Sequence, residues 1–305
     1  MGKVAFVFPG QGAQYSGMGK DLYDCSPAAR DVFGRLDAIR PGTSEQCFSG
    51  GREELEMTGN TQPCMYAVEL AAAAALEERG VRCDMAAGFS LGEIAALAYT
   101  GAVSPEDGFR IVCRRAELMQ SDAEKTPSGM AAVLKLGDEE VERLCARFGN
   151  VYPVNYNCPG QVGVAGLKDE LGRFCEEVKA AGGRAVALKV QGGFHSPFMA
   201  AAASEFEREL SNYGFAQPRV TLYSDYTGLP YGTNFTELLS KQISGPVRWR
   251  DIVRHMVSSG ADTFVELGPG TTLCGLIKKI EPGARVFNVE DGASLSRAAE
   301  GVFEC

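Results

Sequence analysis

Residues 85–99 restrict this chain more than any other segment. Residues 85–87 read as a short strand that runs into Gly88-Phe89-Ser90-Leu91-Gly92, and residues 91–99 continue as a helix too apolar for a wet surface. A strand passing through a Gly-x-Ser-x-Gly turn into a buried helix fits a parallel sheet flanked by helices. It leaves the serine at the carboxyl edge of that sheet. Side chains two residues to either side of the serine would collide in so sharp a turn, which explains the glycines. The following helix aims its first N–H groups, and the positive end of its dipole, at any charge forming near the serine oxygen. An incidental Gly/Ser turn would carry the same letters; the strand before and the apolar helix after favour a nucleophile.

The same alternation continues along the chain. Residues 4–8 are an apolar strand stopped by Pro9-Gly10, and helices are expected at 31–39 and 63–79, the second buried on most sides. The middle reads strand 130–134, helix 138–148, strand 151–156, turn 157–160, strand 161–165, helix 169–181 and strand 185–190. That order, βαββαβ, is the split ferredoxin-like unit. A strand at 220–224, a helix at 249–259, a strand at 263–267 and a helix after Gly270 then resume the first pattern. The expected fold class is α/β: a parallel-sheet, α/β-hydrolase-like large domain with an inserted ferredoxin-like small domain. The expected boundaries are 1–127 and 192–305 for the discontinuous large domain and 128–191 for the insert. No motif is legible after Ile280.

A formal net charge of −9 argues against a general nucleic-acid binder, which needs a cationic surface. The apolar run at 4–8 is too short for a signal-peptide core, and no stretch reaches the roughly 18 apolar residues of a membrane span. A cytoplasmic enzyme with no membrane partner is the expectation. The 10 cysteines include no Cys-x-x-Cys pair and the chain has only 2 histidines, so reduced thiols and no metal site are expected.

A serine hydroxyl needs a base. His255 falls on the polar face of the helix at 249–259 and is expected to be solvated, whereas His195 lies in the loop Gly192-Gly193-Phe194-His195-Ser196-Pro197. Loops on rigid scaffolds concentrate catalytic groups. A hydrogen-bonded loop histidine is the plainer reading; with one other histidine in the chain, and that one on a polar face, His195 is favoured as base. After the first strand, Pro9-Gly10-Gln11-Gly12-Ala13-Gln14 misses both the dinucleotide and the Walker spacings. It is either a tight turn or the donor of a second oxyanion N–H, from Gln11.

Taken in order, Phe8-Pro9-Gly10-Gln11-Gly12, Gly88-Phe89-Ser90-Leu91-Gly92-Glu93, Arg115-Ala116-Glu117-Leu118-Met119-Gln120, Asn155-Tyr156-Asn157-Cys158-Pro159-Gly160-Gln161, Phe194-His195-Ser196-Pro197, Pro246-Val247-Arg248-Trp249 and Glu266-Leu267-Gly268-Pro269-Gly270 form a set. With it the chain resembles malonyl-CoA:acyl-carrier-protein transacylases, from Lys3 to about Ile280.

The resemblance implies that Ser90 attacks the malonyl thioester with His195 as base and then acid. It implies an oxyanion hole from the N–H groups of Gln11 and Leu91, and Arg115 pairing with the free malonyl carboxylate. It implies that a backbone carbonyl at Arg248 orients the base, and that Asn157 supports the site from the insert. A guanidinium fork suits a buried carboxylate on physical grounds too, although Arg115 alone would read as a surface helix arginine like Arg114. Phe89 stands where the family has histidine and bears on acyl selectivity; Phe194 matches a malonyl-selective pattern.

The implied function is malonyl transfer from malonyl-CoA to the phosphopantetheine thiol of acyl carrier protein in fatty-acid biosynthesis. No cofactor is implied beyond the thioester substrate, and a monomer is expected. Arg248, Arg250, Arg254, Lys278 and Lys279 are candidates for docking the acidic carrier, against the plainer reading of a solvated face. A serine hydrolase, a polyketide loading acyltransferase and an inactive carrier-binding relative are the alternatives. The hydrolase gives Arg115 no task, and an intact Ser90, His195 and Arg115 speak against the inactive relative.

Overall fold

The computed structural model describes residues 2–303. Among the described residues nine short β-prone runs form strands. They are β1 (Lys3–Phe8), β2 (Met85–Gly88), β3 (Ser128–Leu134), β4 (Val151–Cys158), β5 (Gln161–Leu167), β6 (Arg184–Ala187), β7 (Thr221–Leu222), β8 (Ala261–Leu267) and β9 (Arg285–Val289).

Five strands build a parallel sheet in the order β7-β2-β1-β8-β9. The central strand β1 is buried from Val4 to Phe8, as a strand with helices on both faces must be. The helix Thr58–Glu78 is buried on nearly every side, as its composition implies. It begins upstream of Pro63 and not at it. Burial of Thr58, Thr61 and Gln62 carries the helix past a proline that cannot donate to the ladder.

The other four strands form an antiparallel sheet in the order β4-β5-β3-β6. The helices Asp138–Cys145 and Lys168–Ala180 pack on it around a separate apolar cluster that includes Val133, Leu144, Val164 and Phe174. This is the expected ferredoxin-like arrangement inserted in a larger α/β fold. The last strand is shorter than expected: β6 ends at Ala187, and residues 188–190 leave the sheet to line a cleft.

A backbone tie joins β4 of the insert to the loop that follows the helix Phe235–Ser244. The Tyr156 N–H donates to the Val247 carbonyl at 2.9 Å, and the Val247 N–H donates to the Val154 carbonyl at 2.8 Å. The segment after Ile280, unread in the sequence, supplies the edge strand β9 and the helix Gly292–Phe303. Strand β9 is only half-buried over most of its length, so it lacks the solid apolar run that announces β1.

Among the described residues no helix is long and apolar enough to cross a membrane. The nine cysteines there are free thiols, and Cys305 lies outside the described residues.

Candidate active site

The site forms where β1 and β2 end side by side, with Phe8 in register with Gly88. The Phe89 N–H donates to the Phe8 carbonyl at 2.8 Å, which sets the loop after β1 against the turn after β2. A Cβ on Gly88 would fall 1.9 Å from the Gly92 carbonyl carbon, and one on Gly92 would fall 2.2 Å from the Phe8 oxygen. Both glycines are therefore steric requirements of the turn. Between them Ser90 takes a left-handed backbone conformation, φ 57°.

Ser90 Oγ lies 2.7 Å from His195 Nε2, and His195 Nδ1 lies 2.7 Å from the Gln242 carbonyl oxygen. A carbonyl only accepts, so Nδ1 carries the proton and Nε2 is left to receive the serine's. Burial, reinforced by the Arg115 charge, pushes the His195 pKa down to about 4, against the pull of its backbone hydrogen bonds. The ring is neutral at pH 7 and ready to act as a base.

The orienting carbonyl belongs to Gln242, and the assignment to Arg248 is corrected. Gln242 sits in the last turn of the helix Phe235–Ser244, where carbonyls lose their partners four residues on. Its own partner there would be Pro246, which has no N–H. Arg248 instead donates its N–H to the Asp225 carbonyl and its Nε to the Tyr226 carbonyl.

Arg115 comes from the helix Pro105–Lys125 and is fully buried, unlike the partly exposed Arg114, which pairs with Glu117. Its Nη1 donates to Gln62 Oε1 at 2.8 Å; its Nη2 donates to Gln242 Oε1 at 2.7 Å and to Ser90 Oγ at 3.1 Å. Its Nε has no partner among the described residues. Burial lowers the Arg115 pKa to about 10 while Glu93 and Asp225 oppose the shift, so it remains a cation at neutral pH.

Gln11, Gln62, Phe89, Leu91, Met119, Met130, Asn155, Phe194 and His195 line a small cavity of about 80 Å³ around Ser90. Among the described residues the N–H groups of Gln11 and Leu91 have no protein acceptor, which leaves both free for a ligand oxygen. Gln11, Leu188 and Val190 also border a wider cleft of about 530 Å³ reaching Tyr15, Arg52 and Lys189. The Phe89 ring packs at 5.8 Å from that of Trp249.

Asn155, and not Asn157, faces the cavity. Register shifts in β4 at Pro153/Asn155 and at Tyr156/Cys158 break the simple alternation of faces that a sequence reading assumes. His255 is also corrected: it is half-buried, with Nδ1 3.1 Å from the Tyr223 hydroxyl. Of the basic residues, Arg250 is mostly buried and ion-paired with Asp138, so it offers nothing to a partner. Sequence reasoning missed Gln62, Gln242, Asp225 and Glu93.

An acyl transferase domain family model matches residues 5–294. The chain is 33% identical to malonyl CoA-acyl carrier protein transacylase of Bacillus subtilis (strain 168), over 100% of this chain and 98% of that protein. The chain belongs to the malonyl-CoA:acyl-carrier-protein transacylase family.

The Escherichia coli (strain K12) transacylase of the same name is 32% identical over 98% of this chain and 100% of its own. The solved transacylase from Clostridium perfringens superposes with a TM-score of 0.96 at 36% identity, covering 99% of this chain and 98% of that one. A malonyl-transacylase in complex with a type II polyketide acyl-carrier protein superposes at 0.94 with 32% identity, covering 98% and 99%. The transacylase fold is therefore present end to end, and the protein is an acyltransferase.

Proposed function

We propose that the protein moves a malonyl group from malonyl-CoA to the phosphopantetheine thiol of an acyl carrier protein, through an ester on Ser90, in fatty-acid biosynthesis. One observation carries the reading: Ser90 Oγ is within hydrogen-bond reach of both a neutral histidine and a buried arginine. The first activates a nucleophile, and the second gives a substrate carboxylate a partner.

His195 Nε2 takes the hydroxyl proton as Ser90 Oγ attacks the thioester carbonyl. The N–H groups of Gln11 and Leu91 receive the oxyanion, and the Gln242 carbonyl steadies the imidazolium. The C–S bond breaks, and the departing CoA sulfur takes the proton from His195. In the second half the carrier thiol gives its proton to His195 and attacks the ester. Ser90 leaves as the alkoxide and recovers the proton. No cofactor is needed.

The cleft past Gln11, Leu188 and Val190 gives the pantetheine arm a way in, and Phe194 and Phe89 wall the acyl pocket. Exposed Lys278, Lys279 and Arg254 are the part of the basic set available to an acidic carrier. We expect the protein to act in the cytoplasm and as a monomer.

Incubating the enzyme with malonyl-CoA and carrier and then weighing the carrier tests the reading. Gain of a malonyl group supports transfer; release of malonate with no carrier product makes the protein a hydrolase.

A further inference from the structure

A left-handed serine is strained and persists only where its surroundings over-determine it. The elbow glycines remove obstacles around Ser90 but supply no attraction. That attraction comes from far along the chain. Asp225, in the loop after β7, is fully buried and accepts the Ser90 N–H on Oδ2 at 2.5 Å. The Ser90 carbonyl in turn accepts from Gln242 Nε2 at 2.7 Å.

Asp225 is itself held at three points. Its N–H donates to Glu93 Oε1 at 3.1 Å, its carbonyl accepts the Arg248 N–H at 2.8 Å, and Gln242 Nε2 approaches Oδ2 at 3.4 Å. Glu93, in the first turn of the helix after the elbow, also accepts the Tyr231 hydroxyl at 2.5 Å and Gln242 Nε2 at 2.6 Å. One frame therefore grips the nucleophile by its N–H and its C=O and, through the Gln242 carbonyl, sets the base. Ser90 lies ahead of the helix Gly92–Tyr99, so its N–H is not one of the free N–H groups of that helix's first turn.

We propose that Asp225 is a positioning residue for the nucleophile: its buried carboxyl oxygen holds the Ser90 N–H and so keeps Oγ between His195 and the incoming thioester. The inference rests on the reading of Ser90 as the acylated group. The bond needs an acceptor oxygen, not a charge. An asparagine at 225 keeps that oxygen and places its amide nitrogen where Oδ1 now has no partner among the described residues.

The test measures the rate at which malonyl-CoA acylates Ser90 in a single turnover, by quenching and mass spectrometry, per folded molecule. Misplacing a nucleophile by about 1 Å costs on the order of 100-fold, so Asp225→Ala is expected to slow acylation by about that factor. KM for malonyl-CoA should stay within about threefold, because Asp225 makes no hydrogen bond to Arg115 and lines neither the cavity nor the cleft. Asp225→Asn is expected to acylate within about threefold of the wild type, since the acceptor oxygen survives. A purely structural aspartate would lower thermal stability and leave the rate per folded molecule unchanged.

Should Asp225→Ala fail to fold, Asp225→Ser takes its place, and the Ser90 amide proton is followed by NMR. A far-downfield, slowly exchanging signal is expected in the wild type and in Asp225→Asn, and its loss in Asp225→Ser. A folded Ala or Ser variant acylating at the wild-type rate would overturn the inference, as would an Asn variant as slow as Ala. Absence of any Ser90 adduct in the wild type overturns the transfer reading instead, so the two failures are distinct.

Discussion

At Ser90 Oγ a base and a cation meet, and each can be separated by experiment. Arg115 is buried, and its Nε is unpartnered among the described residues. Removing one partner of a buried charge pair costs about 3–5 kcal/mol, so Arg115→Ala is expected to lose at least about 100-fold in kcat/KM with malonyl-CoA. Acetyl-CoA has no carboxylate to lose and should fall by less than about tenfold, mainly through the Ser90 contact. An equal loss for both thioesters would give Arg115 a purely structural task.

His195 supplies the pH dependence. Its pKa is lowered to about 4, and the unprotonated ring is the active form, so acylation should persist as pH falls from 7 to about 5. The acid limb of single-turnover kcat/KM is expected near 4; a limb near 6.5 would mean a ring as solvated as free histidine. These residues were open to sequence reading in unequal measure. Ser90 stood in a motif, His195 had one weak rival, and Arg115 needed the family pattern to distinguish it from Arg114. Gln242 was invisible because its role belongs to a backbone carbonyl, an atom every residue has.

Among the elements, the helix Thr58–Glu78 and strand β8 each bring a carboxyl into the core. Glu69 is fully buried with neither oxygen partnered among the described residues. Burial, and then Glu266, push its pKa well up. Glu266 is raised to about 7, chiefly by burial, although it accepts the N–H groups of Leu273 and Cys274 at the start of the next helix. Glu93 is also raised to about 7, again by burial.

A carboxyl with a raised folded-state pKa binds its proton more tightly in the native chain than in the unfolded one. Native stability therefore falls as pH rises from about 4.5 through about 7. His195 acts oppositely, withholding a proton that the unfolded chain takes up below 6.5, and it offsets only part of the effect. Tm is expected to be higher near pH 5.5 than near pH 8. Glu69→Gln should raise Tm at pH 8 more than at pH 5.5, as read by calorimetry. An equal shift at both would mean Glu69 is already ionised in the native state across this range, its pKa not raised. The element boundaries show why sequence reading stops short: Pro63 lies inside a helix, β6 ends early and β9 was passed over, each decided by what packs against it.

For the whole molecule, the insert is tied to the larger domain by the backbone hydrogen bonds between β4 and Val247. Reversing charge at Lys278 and Lys279 together is expected to weaken the carrier at low salt by about tenfold or more. Acylation by malonyl-CoA alone should be untouched. A carrier KM unchanged at low salt would remove that face from docking.

By itself the sequence determined the elbow, the alternation that yields a parallel sheet with a ferredoxin-like insert, and the family. These are written in local spacing and sterics: a glycine that cannot carry a Cβ, or an apolar run that must be covered. Only the tertiary structure decided that Gln242 and not Arg248 orients the base, that Asn155 and not Asn157 faces the cavity, and that Asp225 grips the nucleophile. Those depend on where carbonyls lose their helical partners and on contacts between residues 47 and 135 positions apart. Local spacing carries no record of such separations.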